Sequence, residues 1–467
     1  MSKDLRQFLG LVRAAGPQYY VEVKKPLSPI YEVTVLAEKL GRANRLPLVY
    51  CPQIEGSKLP LIFGSLGSYE HLGLAFDIPP EKLGAEGKGC ILQEYRRRRP
   101  NTRPPREVPA QSAPVHEVVL KGKDVDLGLL PIVHHYELNP TRYMTMAMVI
   151  CKDPDTGIPN VGIYRQELKG KDRLGWRIDL GHHGSLIAQR YAELGKPMEV
   201  VSFVGHHPVV AIGAVEAVPY GKSEFEVMGA LLDEPLEVTP GLTVDLPVPA
   251  RAEIAIEGTV DPKEIVTDGP FSEAYGYYSD RRPCYVIQAK TITMRRDAIY
   301  QNLEPSHPEH NKISLLSRDS AAYDKVRAAV PTVKAVHHGP ERQWCRTALY
   351  ISIKKRNPGD GRLAALAGAC AARSAKMVVV VDDDIDVYND QEVLWAIGNR
   401  VRAEMDVTII PRLPTGEVNP GGRDESGLGP GLMDAKMLID ATEPEGFGTR
   451  VVPPVKLWES MRLEDYI

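Results

Sequence analysis

Apolar residues recur at helical spacing at the start of the chain, at Leu5, Phe8, Leu9 and Val12, and predict a short amphipathic helix. A second helix over residues 33–43, with apolar runs at 46–51 and 59–63 that read as buried strands, makes the beginning of the chain a small α/β domain. Four consecutive arginines, Arg96 to Arg99, come next. Pro100, Pro104, Pro105 and Pro109 then mark an extended linker, which puts a boundary near residue 115.

From there to about residue 302 the pattern is one of strands separated by turn signals. Residues 143–151 read as a strand, Asp153-Pro154-Asp155-Thr156-Gly157 as a turn, and 161–168 as the returning arm of a hairpin. Strands are also predicted at 198–203, 209–214, 252–258 and 285–294, with helices at 185–194 and 223–232. Mostly antiparallel strands with two inserted helices predict a closed or split barrel. Beyond residue 302, helices at 320–329 and 362–375 alternate with strands at 348–353, 377–381 and 407–411. The run Val378 to Val381, followed by charge, has the look of a buried parallel strand. The fold expected is therefore multidomain, α+β and α/β: a small N-terminal α/β domain with its proline-rich linker (1–115), a central split β-barrel (116–302) and a C-terminal α/β domain (303–467).

Composition narrows the class. A chain of 467 residues exceeds what one core usually serves, and 43% hydrophobic with 25% charged residues is the balance of a soluble globular protein. A net charge of −4 offers no general attraction to nucleic acid or to an anionic membrane, and no apolar run approaches the roughly 20 residues of a membrane span. The six cysteines are scattered without a CxxC, which argues for reduced thiols and a cytoplasmic location rather than disulfides or a zinc site. Arg96–Arg99 could form a phosphate patch, but no aromatic residues interleave with them, so a solvated face or an oligomer contact is favoured. Asp382-Asp383-Asp384 could hold Mg²⁺, although no phosphate loop precedes it.

Candidate chemistry concentrates between Asn160 and Glu273. By strand alternation Arg165 shares a face with Val161 and Ile163, and a cation on an apolar face needs an anionic partner. Asp268-Gly269-Pro270-Phe271-Ser272-Glu273 places two carboxylates around a Gly-Pro turn; one of two neighbouring acids tends to keep its proton, which suits a donor, while the other can pair with an arginine. Ser223 with Glu226 reads as a capping box, which leaves Glu224 without a capping role at a helix start. Asn160, His182 or His183, and Glu224 together offer donors that suit Mn²⁺ or Mg²⁺ better than zinc. Tyr275, Tyr277 and Tyr278 could wall a planar substrate or only pack the barrel. Later in the chain, Gly427, Gly429 and Gly431 ahead of Lys436 could form a phosphate clamp or a flexible loop. His310, Arg318 and Arg346 could converge on a carboxylate or bridge domains. His206-His207-Pro208 reads as a loop before a strand.

In this order, the motifs resemble those of the UbiD family of reversible decarboxylases. They are Asn160-Val161-Gly162-Ile163-Tyr164-Arg165, the histidine pair, Ser223-Glu224, the Gly-Pro turn between two acids, Asp297-Ala298-Ile299-Tyr300, and Lys436-Met437 with Asp440-Ala441-Thr442. The resemblance implies prenylated FMN as cofactor. It makes Asn160, Glu224 and one of His182 and His183 the ligands of Mn²⁺ (or Mg²⁺) at the cofactor phosphate, with K⁺ alongside; the spacing to the following helix favours His183. Arg165, Asp268 and Glu273 become the catalytic trio, Asp268 being a methylene shorter than the glutamate often found there. Ile163 and Gln166 join Asn160 and Arg165 as cofactor contacts, and Lys436 becomes the phosphate-binding lysine. The implied activity is a non-oxidative, reversible decarboxylation of an aromatic or heteroaromatic acid through an adduct between substrate and flavin. Loss of CO₂ from an sp² carbon needs an electron sink that no side chain provides. A flavin prenyltransferase would supply the cofactor to a homodimer or homohexamer. If His310, Arg318 and Arg346 converge, furan-2,5-dicarboxylate leads as substrate; otherwise a phenolic, pyrrole or other aromatic monoacid remains open. A split-barrel flavin reductase, which has no need for the acid pair or the Asn/His/Glu set, and a non-catalytic assembly subunit are the alternatives of another class.

Overall fold

The computed structural model describes residues 3–179, 181–340, 347–415, 419, 421–422, 432–451, 453–454, 457 and 460–461. Arg346 and the glycines Gly427, Gly429 and Gly431 lie outside the described residues.

The first helix, α1 (Leu5–Ala15), starts at Asp4, whose carboxylate accepts the Gln7 N–H, and it buries Leu5, Phe8, Leu9 and Val12. With α2 (Glu32–Arg42), α3 (Tyr69–Ala75), α4 (Pro80–Glu86) and α5 (Gly89–Arg98) go the strands β1 (Tyr20–Glu22), β2 (Leu48–Cys51) and β3 (Leu61–Phe63). Their sheet takes its fourth strand from Tyr300–Gln301, which pairs with β3 after the chain has traversed the whole central region. The four arginines end α5, where Arg97 is exposed to solvent and Arg98 is buried. Each has a partner within the chain: Arg96 with Asp324, Arg97 with Glu94, Arg98 with Asp77 and Glu94, and Arg99 with Glu216.

The central sheet has nine strands, all antiparallel: β5 (Val118–Lys121), β6 (Tyr143–Met144), β7 (Met148–Lys152), β8 (Pro159–Ile163), β9 (Gln166–Leu168), β10 (Arg173–Trp176), β11 (Met198–Val204), β14 (Ile254–Asp268) and β17 (Arg282–Met294). Their order, β6-β9-β10-β17-β14-β11-β7-β8 with β5 on β17, leaves two ends, so the sheet is a curled half-barrel. Short strands β4 (Arg106–Glu107), β12 (Glu237–Pro240) and β13 (Pro247–Pro249) make a separate sheet, and β15 (Phe271–Ser272) with β16 (Tyr278–Ser279) a hairpin. The Tyr300–Gln301 strand is β18.

Two sequence expectations change here. The predicted hairpin arms are each broken, because the chain passes from pairing Met148 with Ile163 to pairing Tyr143 with Glu167. Arg165 therefore stands in the gap between β8 and β9 rather than inside a strand. Tyr164 folds back over Gly162 at this point, where a Cβ would come within 2.6 Å of its ring. Second, residues 209–214 belong to a helix, α7 (Pro208–Ala214), with Pro208 in its first turn and His207 at its N-cap. Every residue of α7 is buried, and an apolar run buried on all sides reads alike as strand or helix. The other inserted helices are α6 (His183–Leu194) and α8 (Glu224–Leu232). Ser223 caps α8 by accepting the Phe225 N–H, one position earlier than a capping box would require.

The C-terminal region contains α9 (Pro308–Lys312), α10 (Leu315–Ala329), β19 (Val333–His337), β20 (Ala348–Ile353), α11 (Asp360–Ala371), β21 (Met377–Asp382), α12 (Asp390–Arg400), α13 (Ala403–Asp406), β22 (Val407–Pro414) and β23 (Met433–Asp440). Its sheet runs β19-β20-β21-β23-β22 and is parallel along β20-β21-β23. Asp382 and Asp384 pair with the buried Arg400, and Asp383 between them is exposed. Of three apolar clusters among the described residues, one extends from Phe8 and Tyr95 through Phe203 and Met228 to Val336 and Val378. Among the described residues no helix is long and apolar enough to cross a membrane.

Candidate active site

Arg165, freed from strand pairing, projects between two acids on the turn that follows β14. Its Nε and Nη2 donate to Asp268 Oδ2 at 3.0 and 2.7 Å, and its Nη1 donates to Glu273 Oε1 at 2.6 Å. The shorter aspartate side chain thus reaches the guanidinium. Phe271, between the acids in sequence, places its ring 4.6 Å from the guanidinium carbon. Burial works against the arginine's charge, and the two carboxylates more than offset it, so its pKa is raised. Ser306 donates to the Glu273 carbonyl at 2.5 Å and ties the turn to the segment leading into α9.

A second cluster forms where β8 meets α8. Glu224 is 3% exposed; its Oε1 accepts the Asn160 side-chain amide at 2.8 Å and its Oε2 accepts the Val161 N–H at 2.9 Å. Asn160 Oδ1 is buried with no hydrogen-bond partner, and His183 Nδ1 lies 3.9 Å from Glu224 Oε1. Burial pushes the Glu224 carboxyl up to about 7, against the Val161 and Asn160 hydrogen bonds that favour its ionised form. Burial and the neighbouring His182 keep His183 towards its neutral form, the form that binds metals. An orphaned amide oxygen, a neutral imidazole and a carboxylate fit a hard-to-borderline divalent cation. The histidine pair divides: His183 lines a small recess with Asn160 and Tyr220, whereas His182 lines a cavity that it shares with Arg165 and Glu273.

That cavity, about 330 Å³, falls within the range of small-molecule sites. Arg165 and Glu273 form one wall with Phe271 and Ile163; Arg177, His182 and His310 bring further positive or protonatable groups, and Val215, Leu303 and Ile313 supply apolar surface. Other predicted residues lie elsewhere. Arg318 does not line the cavity: its guanidinium folds back along α10 onto the Ser314 and Asn311 carbonyls. Lys436, on β23, does not reach the cavity either, since its amine is held by the Ala372 and Arg373 carbonyls, which are left open where α11 ends. Gln166 is fully buried, with Oε1 accepting from Ser202 at 3.0 Å. Tyr277 and Tyr278 are exposed and form no wall.

Sequence reasoning passed over several residues that the fold brings here. Phe271 sat in plain view between the two acids. Arg177 and Asp179 pair at 2.9 Å on the cavity rim. Thr145, another lining residue, donates to Asn302 Oδ1 at 3.1 Å, and the Asn302 amide donates to the buried Glu304 at 2.6 Å. Glu167 also escaped notice, although a charged residue two positions beyond Arg165 in a run of strand character was a signal in its own right.

Two family models match the chain: the 3-octaprenyl-4-hydroxybenzoate carboxy-lyase Rift-related domain over residues 106–308 and the C-terminal domain of the same enzymes over 314–441. The anhydromevalonate phosphate decarboxylase of Methanosarcina mazei is 32% identical, the match covering 96% of this chain and 99% of that protein. Among solved structures, the UbiD-class enzyme HmfF from Pelotomaculum thermopropionicum in complex with FMN superposes with a TM-score of 0.90 at 31% identity, covering 99% of this chain and 100% of that one. The 3,4-dihydroxybenzoic acid decarboxylase AroY of Klebsiella pneumoniae gives 0.87 at 25% identity, with 99% of each chain covered. Similarity of this extent over nearly the whole length, together with both domain models, means that the chain belongs to the UbiD family of carboxy-lyases.

Proposed function

We propose that the protein is a reversible, non-oxidative decarboxylase of an aromatic or heteroaromatic acid that works with prenylated FMN. The observation that carries this reading is the Arg165–Asp268–Glu273 trio, whose Arg165 and Glu273 line a cavity while Asp268 is buried behind them. HmfF, similar over its full length, has been solved with FMN and, in an evolved dimeric form, with prenylated FMN.

In this reading Asn160 Oδ1, His183 and Glu224 hold a divalent cation, Mn²⁺ or Mg²⁺, for the cofactor phosphate. When bound, prenylated FMN supplies the electron sink that decarboxylation at an sp² carbon requires. Arg165 orients the reacting carboxylate as a fixed cation. Asp268 holds that guanidinium by two hydrogen bonds to one oxygen. Glu273 delivers a proton to the carbon that CO₂ leaves, and takes one in the reverse direction. Phe271, Leu303, Val215 and Ile313 keep water from the carbon.

Of the residues that would bind a second carboxylate only His310 lines the cavity among the described residues, and the Arg177 charge there is met by Asp179, so furan-2,5-dicarboxylate leads as substrate on the likeness to HmfF. A phosphate-bearing acid is the second reading, favoured by the similarity to the Methanosarcina enzyme. The test is co-expression with a flavin prenyltransferase followed by assay of CO₂ release from furan-2,5-dicarboxylate, aromatic monoacids and anhydromevalonate phosphate. Glu273→Gln should retain flavin and lose net turnover. Wild-type rates in that variant would remove Glu273 from its role.

A further inference from the structure

Asp268 is held from both sides by a single residue outside the trio. Glu167, on β9 and 2% exposed, sits opposite Tyr143 of β6 in the antiparallel ladder. Its Oε2 accepts the Tyr143 hydroxyl at 3.0 Å and the Gly269 N–H at 3.3 Å; that N–H also reaches the Tyr143 oxygen at 3.1 Å. Its other oxygen, Oε1, pairs with the Lys169 amine at 2.6 Å, and that amine donates to the Thr267 carbonyl at 2.6 Å. The peptides immediately before and after Asp268 are therefore tethered to the two oxygens of one carboxylate. Tyr143 adds a third link, because its ring packs 4.8 Å from that of Phe271, the residue lying over the Arg165 guanidinium.

We infer that Glu167 is a positioning residue for the reaction: acting through Lys169 and Tyr143, it fixes the turn so that Asp268 meets Arg165 in the observed geometry. The inference deepens the proposed function and rests on it. Its physical basis is that Asp268 is the last residue of β14, paired with Arg282 in the final rung before the turn, and a small displacement of a group near the reacting atoms costs turnover far more than binding. Tethers on both flanking peptides remove the freedom of that strand end. A carboxylate suits the task because both of its oxygens accept. An amide accepts at only one, so glutamine at this position must give up either the lysine link or the Gly269 link.

The experiment uses the full-length, flavin-loaded enzyme and the variants Glu167→Gln and Tyr143→Phe. Hydrogen–deuterium exchange over residues 265–272 should accelerate about tenfold or more in Glu167→Gln, with the rest of the chain unchanged. kcat should fall at least tenfold while KM and flavin content stay within about twofold of wild type. Tyr143→Phe, which keeps the carboxylate, should show the same pattern to a smaller degree, and it carries the test if Glu167→Gln does not fold. Wild-type exchange and kcat in Glu167→Gln would overturn the inference, as would a loss of kcat accompanied by loss of flavin and faster exchange throughout the chain. Asp268→Asn run in parallel separates the two levels. If it is inactive while Glu167→Gln is normal, the positioning role fails alone; if it is fully active, the proposed catalytic trio fails.

Discussion

Arg165 directs two donors, Nε at 3.0 Å and Nη2 at 2.7 Å, onto the same oxygen of Asp268 and leaves the other, Oδ1, buried without a hydrogen-bond partner among the described residues. Leaving such an acceptor unmet costs about 1–3 kcal/mol, a cost that ordinary structural ion pairs avoid by turning both oxygens to donors. Asp268→Asn keeps the volume but removes the charge that holds the guanidinium. Turnover should fall on the order of 10²-fold, the cost of misplacing a group that orients the reacting atoms, with flavin content unchanged. Steady-state CO₂ release and the flavin absorbance of the purified variant check this, and near-wild-type kcat would count against the assignment.

The division of the histidine pair gives a direct comparison. His183 shares its recess with Asn160 and 3.9 Å separates it from Glu224, whereas His182 lines the cavity of Arg165 and Glu273. His183→Ala should purify with at least tenfold less divalent metal per chain, as should Asn160→Ala. His182→Ala should keep its metal and change the KM for substrate. Elemental analysis of the three proteins decides it: equal metal in all of them would remove these residues from metal binding.

What could be read from the sequence was local in origin. The periodicity of α1, the Asp153–Gly157 turn and the strands β11 and β20 all follow from residues close together in the chain. Arg165, Asp268 and Glu273 could be picked out singly because charge inside an apolar pattern calls for a partner. Contacts between distant segments were invisible. Arg96 and Asp324 are 228 residues apart, so nothing near the arginine run announces that its charges are already matched. Lys436 illustrates the same limit, since a motif cannot tell that the amine will meet the carbonyls at the end of α11. α7 was misread for another reason: total burial erases the polar positions that distinguish period 2 from period 3.6.

Glu304 connects the cavity wall to the acid–base behaviour of the whole fold. It is fully enclosed, and burial, with the nearby Glu309 and Glu38, pushes its carboxyl up to about 8 despite hydrogen bonds from Thr34 and Asn302. In the unfolded chain the same group titrates near 4.5. Between these values the folded state holds a proton that the unfolded state lacks, so stability falls as pH rises, by roughly 1.4 kcal/mol per pH unit for one proton. Below about pH 4.5 the contribution is flat. Urea unfolding midpoints at intervals from pH 5 to 8 should decline more steeply in the wild type than in Glu304→Gln, which mimics the protonated acid; parallel curves would mean that Glu304 is ionised in the fold.

Arg98 is the arginine of the run whose loss should be felt most. It is 4% exposed, and its guanidinium donates to Glu94 at 2.7 Å, to Asp77 at 2.8 Å, to the Phe76 carbonyl at 2.9 Å and to the Leu231 carbonyl at 3.0 Å. Leu231 lies in the last turn of α8, where a cation also complements the helix dipole, and the first residue of that helix is Glu224. Arg98→Met keeps much of the apolar stem but leaves the Phe76 and Leu231 carbonyls without their donor, while Glu94 keeps Arg97 and the partly exposed Asp77 keeps Lys3, so the change should cost about 1–3 kcal/mol. α8 is also held along its length by Phe225, Met228 and Leu231 in the core, so Glu224 should keep its bonds to Asn160 and Val161 while the protein remains folded. The expected outcome is a clearly lower urea midpoint with metal content and kcat per folded enzyme unchanged. A loss of metal at wild-type stability would mean instead that Arg98 steers the end of α8 and, through it, the ligand at the other end of the helix.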